Sequence, residues 1–156
     1  MNTTRRVLIH ADPRMIKTPG GMVHSAKWFP LDTFWNPVVA AYPNYEWIQI
    51  GMQGDWIIND VKPKFGLSFA EIIKLAETCD KIICVDSFLQ HLLAPSKRQL
   101  IVLWSRSDPE IFGYKHNINL LLDRAKLRPD QFGIWEACPY DPTAFISPQI
   151  LIDLLK

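Results

Sequence analysis

The sequence lacks the two glycine-rich motifs that most often mark a nucleotide phosphate site. Neither G-x-G-x-x-G nor G-x-x-x-x-G-K-[ST] occurs in its 156 residues. The first motif lets the backbone approach a dinucleotide pyrophosphate, and the second wraps a loop around nucleotide phosphates. Their absence argues against a dinucleotide-binding fold of the usual type and against a P-loop. The one glycine pair, Gly20-Gly21, is more typical of a turn than of a ligand cradle.

Cysteine is scarce and irregularly spaced. The chain has only Cys79, Cys84 and Cys138, and this odd count has no zinc-like spacing. Cys84 lies inside an apolar run, which is typical of a packing residue. We therefore expect reduced thiols and a cytoplasmic location, with neither a metal site nor a bound cofactor.

Long apolar runs and an excess of one charge are also missing. The apolar run near the amino terminus covers only Val7 to Ile9, which is too short for a signal peptide or a membrane span. Lys and Arg number 17 against 16 Asp and Glu, for a net charge of +1. This balance argues against a general nucleic-acid-binding surface. We find no repeat and no domain boundary, so we assign residues 1–156 to a single domain.

What the sequence does contain is a central stretch, residues 81–93, that changes from a strand pattern to a helix pattern. Ile82 to Val85 is apolar and rich in β-branched residues, which is typical of a strand buried on both faces in a parallel sheet. Asp86 and Ser87 are favourable N-cap residues before the apolar stripe of a helix. This turn is predicted at the carboxyl edge of the sheet, where ligands bind in open α/β folds and helix amides favour phosphate.

His91 lies four residues beyond Ser87, on the same face of the predicted helix. An acid, a hydroxyl and an imidazole would then converge at one opening. The alternative interpretation is that Asp86 and Ser87 only cap the helix, and that His91 is a surface or packing residue. This stretch alone leaves both interpretations open.

Strand and helix patterns alternate along the rest of the chain. Strands are predicted over Arg6 to Ala11, Glu46 to Gly51, Gln99 to Ser105 and Asn117 to Leu122, with a short strand or an extended link over Trp56 to Val61. Helices are predicted from Pro30, with a kink at Pro37, from the capping box Ser68/Glu71 to about Thr78, and over Gln149 to Leu155. Residues 12–26 read as a loop, and residues 128–138 show no pattern. This alternation favours an α/β fold, Rossmann-like, with a doubly wound parallel sheet.

The order of these features resembles the carboxyl-terminal half of glycosyltransferase family 9, the ADP-heptose:lipopolysaccharide heptosyltransferases, which have a GT-B fold. The resemblance covers Ser25 to Lys156. Its most specific part is Val85 to Leu92, VDSFLQHL, which is similar to the family pattern V-D-[ST]-G-x-x-H-L. It is also carried by Lys27-Trp28-Phe29-Pro30, Gly51, Gly66 to Glu71, Asp108-Pro109 and Ile146-Ser147-Pro148.

In that family this half binds the nucleotide-sugar donor, and the resemblance implies the same here. Lys27 would contact the diphosphate, and Ser87 with the helix amides would contact phosphate too. Asp86 would bind sugar or ribose hydroxyls or hold the loop, because a carboxylate repels phosphate. His91 would support the phosphates or the turn. The implied ligand is a nucleotide-diphosphate sugar, with an ADP-sugar favoured.

Two residues depart from the family pattern: Phe88 and Ser105 each stand where the family usually has Gly. Residues 1–24 are too few to form the acceptor domain that normally carries the catalytic base, so the catalytic residues stay unknown. We expect a separate amino-terminal, acceptor-binding chain to complete a heptosyltransferase-like enzyme. The alternatives are a non-catalytic nucleotide or nucleotide-sugar binding module and a structural or partner-binding descendant of a truncated transferase.

Overall fold

The main feature of the computed structural model, which describes residues 3–11 and 15–156, is a six-stranded sheet whose strands are all parallel. The strands in chain order are β1 Arg6–His10, β2 Met15–Thr18, β3 Gly21–His24, β4 Glu46–Gly51, β5 Lys62–Phe65, β6 Lys81–Val85, β7 Ile101–Leu103 and β8 Ile118–Leu120. The order across the sheet is β5-β4-β1-β6-β7-β8, and β2 and β3 form a separate antiparallel hairpin.

Helices cover both faces of this sheet. They are a π-helical turn Leu31–Trp35, α1 Asn36–Ala40, α2 Phe69–Glu77, α3 Phe88–Leu93, α4 Pro109–Phe112 and α5 Pro148–Leu154, with short 3-10 turns at Ala94–Ser96, Arg124–Lys126, Trp135–Ala137 and Pro142–Ala144. On β1, Val7 and Ile9 pack towards α1 and α5, while Leu8 packs towards α2 and α3. The predicted doubly wound, Rossmann-like α/β fold is therefore confirmed.

The strand order reverses beside β1. In doubly wound folds this reversal marks the position of the crevice in which ligands bind. β1 pairs with β4 on one side and with β6 on the other, so that Leu8 lies opposite both Ile48 and Ile82. Chain crossovers leave this point in opposite directions, and ligands of open α/β sheets bind outside the carboxyl ends of the two strands that flank it. Here those ends are His10 on β1 and Val85 on β6.

Two stretches differ from the sequence predictions. The described part of the predicted loop 12–26 contains the β2–β3 hairpin, while residues 12–14 lie outside the described residues. Residues Trp56 to Val61 form a link, one of the two predicted alternatives, and the next strand, β5, has no predicted counterpart. β5 contains Pro63, and a proline is tolerated there because β5 is an edge strand, where one side needs no ladder hydrogen bonds.

Local signals in the helices were more reliable. The capping box is present, since the Ser68 hydroxyl accepts from the Glu71 amide and the Glu71 carboxylate accepts from the Ser68 amide. The π-helical turn ends at Trp35 and α1 begins at Asn36, one residue before Pro37, where a kink was predicted. Cys84 is fully buried in β6, and burial raises the pKa of its thiol. None of the helices in the described ranges is long and apolar enough to cross a membrane.

Candidate functional site

The strand-to-helix turn lies where the sequence predicted it, between β6 and α3. Asp86 and Ser87 are both buried, and the Asp86 amide donates to the carbonyl of Leu103 at 3.2 Å. Ser87 occupies the N-cap position of α3, but its side chain makes no capping bond. Its Oγ instead lies 2.8 Å from Nδ1 of His10, at the end of β1. This hydrogen bond joins the two strands that flank the crevice.

Three of the four predicted site residues line one cavity of about 300 Å³, which we call the polar cavity. Its wall is formed by Lys27, Asp86, His91, Ser107, Phe112, Gln131, Phe132, Gly133 and Trp135. Nζ of Lys27 lies 3.2 Å from Oδ2 of Asp86. Ser87 is not part of this wall. The structure thus brings Lys27, Asp86 and His91 together and places Ser87 beside them.

The cation and the carboxylate of this cavity are both held by further contacts. The other oxygen of Asp86, Oδ1, accepts from the amide nitrogen of the fully buried Gln90 at 3.0 Å. The ammonium of Lys27 also lies 4.6 Å from the ring centroid of Trp135, a geometry in which the ring face attracts the cation. An anion entering the cavity would meet one lysine whose present partner is a carboxylate.

His91 reaches the same cavity from an exposed position on α3. Its Nδ1 lies 2.9 Å from the hydroxyl of Tyr114, and the two rings meet edge to face at 5.6 Å. This contact fixes the ring of His91 against the loop after α4. His91 is therefore held in place at the mouth of the cavity, although it is not buried.

A second cavity, of about 430 Å³, lies at the carboxyl ends of β1, β4 and β5, and we call it the apolar cavity. It is lined by His10, Gly51, Met52, Asp55, Gly66, Leu67, Phe69, Ile72 and Phe88. The ring of Phe88 stacks with Phe69 at 5.6 Å and meets His10 edge-on at 4.9 Å. The residue that replaces the family glycine thus supplies an aromatic wall. One carboxylate, Asp55, faces this otherwise apolar space and accepts from the Met52 amide at 2.8 Å.

The segment after β7 closes the polar cavity from outside. Asp108 caps α4 and receives two hydrogen bonds from the Arg124 guanidinium, at 3.0 and 2.8 Å. These bonds hold the pKa of Asp108 below its usual value. Gln131 accepts from the Asp108 amide and donates to the carbonyls of Arg106 and Arg128. The irregular wall is therefore tied together by side-chain hydrogen bonds.

Several residues of this region were not singled out from the sequence. His10 ends the first buried strand at the same sheet edge as Asp86, and this shared edge is a signal that would have found it. Gln90 stands one turn after Asp86 on α3, which is a weaker signal. Trp135 lies in the stretch without pattern, and no sequence signal points to it. In the part of the chain that the structure describes, no three His, Cys, Asp or Glu side chains are grouped so as to hold a metal ion.

Comparisons with known proteins bear on the family and the fold of the chain. The model of glycosyltransferase family 9 (heptosyltransferase) matches residues 51–131, slightly more than half of the chain. The matched range includes Asp86, Ser87 and His91 and excludes Lys27. None of the curated proteins matches the chain.

Among solved structures, the chain is similar to the dodecameric iron-containing heptosyltransferase TibC in complex with ADP-D-beta-D-heptose. The TM-score is 0.57 at 16% sequence identity, over 94% of this chain. At this identity the likeness shows the fold alone. The chain spans 37% of the TibC chain.

Proposed function

Since the chain belongs to glycosyltransferase family 9, we propose that residues 1–156 act as one domain that binds a nucleotide-diphosphate sugar, with an ADP-sugar favoured. One observation carries this proposal: two cavities of opposite character meet at the turn between β6 and α3. Asp86 lines the polar cavity and Phe88 lines the apolar cavity, with Ser87 between them in the chain. A nucleotide sugar has a charged half and a planar aromatic half, and each cavity suits one of them.

The diphosphate is proposed to bind beside Lys27. Its ammonium is at present shared with Asp86 at 3.2 Å, and a diphosphate carries more negative charge than one carboxylate. The Ser87 hydroxyl lies 2.8 Å from Nδ1 of His10 at the switch of strand order, and it would donate a hydrogen bond to phosphate when the ring nitrogen donates to it. His91 would support the phosphates from the mouth of the polar cavity. Asp86, held by Gln90, would turn to the hydroxyls of the sugar.

The base and ribose are proposed to occupy the apolar cavity. Phe88 and Phe69 offer stacked aromatic faces. Any nucleic-acid base can stack on such a face, whatever hydrogen-bond donors and acceptors it carries. The Asp55 carboxylate accepts hydrogen bonds only, so it suits the hydroxyls of a ribose. Asp55 lies four residues beyond the carboxyl end of β4, in the link that follows this strand.

The proposed reaction is direct displacement at the anomeric carbon of the donor sugar. The bond from that carbon to the diphosphate oxygen breaks as the acceptor oxygen attacks, and Lys27 would stabilise the charge on the leaving nucleoside diphosphate. No residue here is assigned as the base that takes the acceptor proton. We propose that a separate amino-terminal chain binds the acceptor and supplies that base, and that the assembly works in the cytoplasm.

The direct test is calorimetric titration of the purified chain with ADP, UDP, GDP and an ADP-sugar. We expect saturable binding, with the adenine compounds preferred. Lys27→Ala should weaken ADP binding about ten- to a hundredfold, because it removes a charge-assisted contact of about 1.5–3 kcal/mol. Lys74→Ala, on the exposed side of α2, is the matched control and should leave ADP binding unchanged.

Two alternatives have distinct outcomes in the same experiment. If no nucleotide binds, the donor-site proposal fails and the structural descendant remains. If nucleotides bind but no sugar is transferred when an acceptor-binding half is supplied, the chain is a binding module. Transfer by the isolated chain would contradict the proposed need for a second chain, since positioning of the acceptor supplies much of the catalysis.

A further inference from the structure

A third cavity, of about 380 Å³, adjoins the polar cavity, and we call it the arginine cavity. It is lined by Arg106, Arg128, Pro129, Asp130, Gly133, Ile134, Ala137, Cys138 and Pro139. Gly133 lines both cavities. The ring of Trp135 lies within cation–π range of two cations, 4.6 Å from the ammonium of Lys27 and 4.5 Å from the guanidinium of Arg128. The two cavities are therefore neighbours, since Gly133 belongs to both walls and the Trp135 ring contacts Lys27 of one wall and Arg128 of the other.

Arg128 is an unusual residue to find in such a wall, because only 6% of its surface is exposed. Its Nη2 donates to the carbonyl of Ile134 at 2.9 Å, while its Nη1 is buried without a hydrogen-bond partner. Among the described residues, no carboxylate forms an ion pair with it. The carbonyl of Ile134 and the ring of Trp135 compensate this charge only in part, and a buried charge without an anionic partner is costly. An anion bound beside Arg128 would compensate this charge.

The second guanidinium of the cavity is only partly compensated. Nη1 of Arg106 lies 3.4 Å from Oδ2 of Asp141, and its Nε is buried without a partner. Asp141 is also engaged by Thr143, whose hydrogen bonds lower the pKa of that carboxyl. One carboxylate, Asp130, belongs to the wall, and it accepts from the Phe132 amide. The wall itself thus contains two guanidinium groups and one carboxylate, and Asp141 outside the wall is the ion-pair partner of Arg106.

We infer that the arginine cavity is a second anion-binding site, which takes a phosphate or carboxylate group. Guanidinium groups bind both kinds of oxyanion through paired hydrogen bonds. Because this cavity has its own wall, which lacks Lys27 and shares only Gly133 with the polar cavity, the site can hold the acidic group of a second ligand while a nucleotide occupies the polar cavity. This last point rests on the proposed function, whereas the anion site itself does not.

The test is a calorimetric titration with inorganic phosphate, made on the Lys27→Ala chain so that the cation of the polar cavity is absent. We expect saturable binding of one phosphate per chain. Arg128→Gln and Arg106→Gln, each added to Lys27→Ala, should weaken it about tenfold or more. Arg5→Gln, which changes an exposed arginine at the amino end of β1, is the matched control and should leave it unchanged. Acetate in place of phosphate distinguishes a carboxylate from a phosphate preference.

A further variant covers the case in which Arg128→Gln does not fold, as judged by its thermal unfolding. Asp130→Asn removes the one carboxylate of the wall and keeps an amide oxygen for the Phe132 amide, so it should tighten phosphate binding severalfold. On the wild-type chain, saturating ADP should leave a second phosphate site free.

Two results would overturn the inference: no saturable phosphate binding, and phosphate binding that is unaffected by the Arg106, Arg128 and Asp130 substitutions. Complete displacement of phosphate by ADP would reject the simultaneous binding of a second ligand. Failure of the nucleotide titration alone would reject the proposed function and leave the anion site standing, because phosphate binding is measured without nucleotide.

Discussion

The polar and apolar cavities share one sheet edge but are built from different parts of the chain. The walls of the apolar cavity come mainly from regular elements and the glycines that end them, with α2 and α3 contributing its aromatic rings. The outer wall of the polar cavity is the irregular segment after β7, held by the contacts of Gln131 and the Asp108–Arg124 pair. Shape therefore dominates the apolar cavity and charge dominates the polar cavity. Substitutions in the two cavities should weaken the binding of different parts of a nucleotide.

The largest expected effect is that of Phe88→Ala in the apolar cavity. The ring stacks with Phe69, and loss of a base-stacking face costs about 1–3 kcal/mol, or roughly 5- to 150-fold in affinity. The affinities for adenosine and for ADP should fall by the same factor, while the affinity for pyrophosphate should not change. Lys27→Ala should show the reverse pattern, weakening pyrophosphate and ADP but not adenosine. Titration of the three ligands against both variants checks this, and tighter ADP binding by Phe88→Ala would show that the ring blocks the phosphates instead.

The next effect concerns stability rather than binding. Ser68→Ala removes the side-chain half of the cap on α2, and loss of such a cap costs about 1 kcal/mol. The free energy of unfolding in urea should fall by about that amount. Affinity for ADP should not change, because α2 still packs against β6 through its buried apolar face. A loss of ADP binding without a loss of stability would show that Ser68 contacts the ligand.

Asp86→Asn should produce a smaller change in the polar cavity, and one that differs in size between two ligands. The substitution removes the carboxylate that shares Lys27, so ADP should bind severalfold more tightly by Coulomb interaction. The preference for an ADP-sugar over ADP should shrink, because the proposed acceptor for sugar hydroxyls is weaker. Parallel titrations of ADP and the ADP-sugar measure both. An unchanged preference would remove Asp86 from the proposed sugar site.

The smallest expected effect is a pH dependence of the outer wall. Hydrogen bonds from Arg124 lower the pKa of Asp108 below the ordinary value of 3.8. The folded state therefore binds this proton less readily than the unfolded chain. The stabilisation is complete above the unfolded pKa and is lost as the pH falls through the lower, folded pKa. The difference in unfolding free energy between wild type and Asp108→Asn should shrink as the pH falls below about 4. A constant difference would mean that this pair does not stabilise the wall.

The predictable part of the molecule consists of elements whose signals are short in sequence. The apolar run before Asp86, the Asp86-Ser87 turn and the Ser68/Glu71 capping box all lie where local patterns indicated. β5 escaped prediction because an edge strand with Lys62, Pro63 and Lys64 carries little apolar pattern. The hairpin within residues 12–26 escaped as well. Among the described strands, β2 and β3 pair with each other alone, and Gly20 and Gly21 between them favoured the prediction of a loop.

Local patterns were enough to predict the doubly wound sheet and the turn that ends β6, because burial on both strand faces and helix capping are local demands on composition. Which residues meet that turn depends on how distant elements pack. His10 reaches Ser87 across 77 positions, since parallel pairing of β1 with β6 aligns their carboxyl ends. Trp135 reaches Lys27 and Arg128 through a segment without periodicity. Contacts of that kind depend on packing between distant elements, which leaves no spacing rule in the chain.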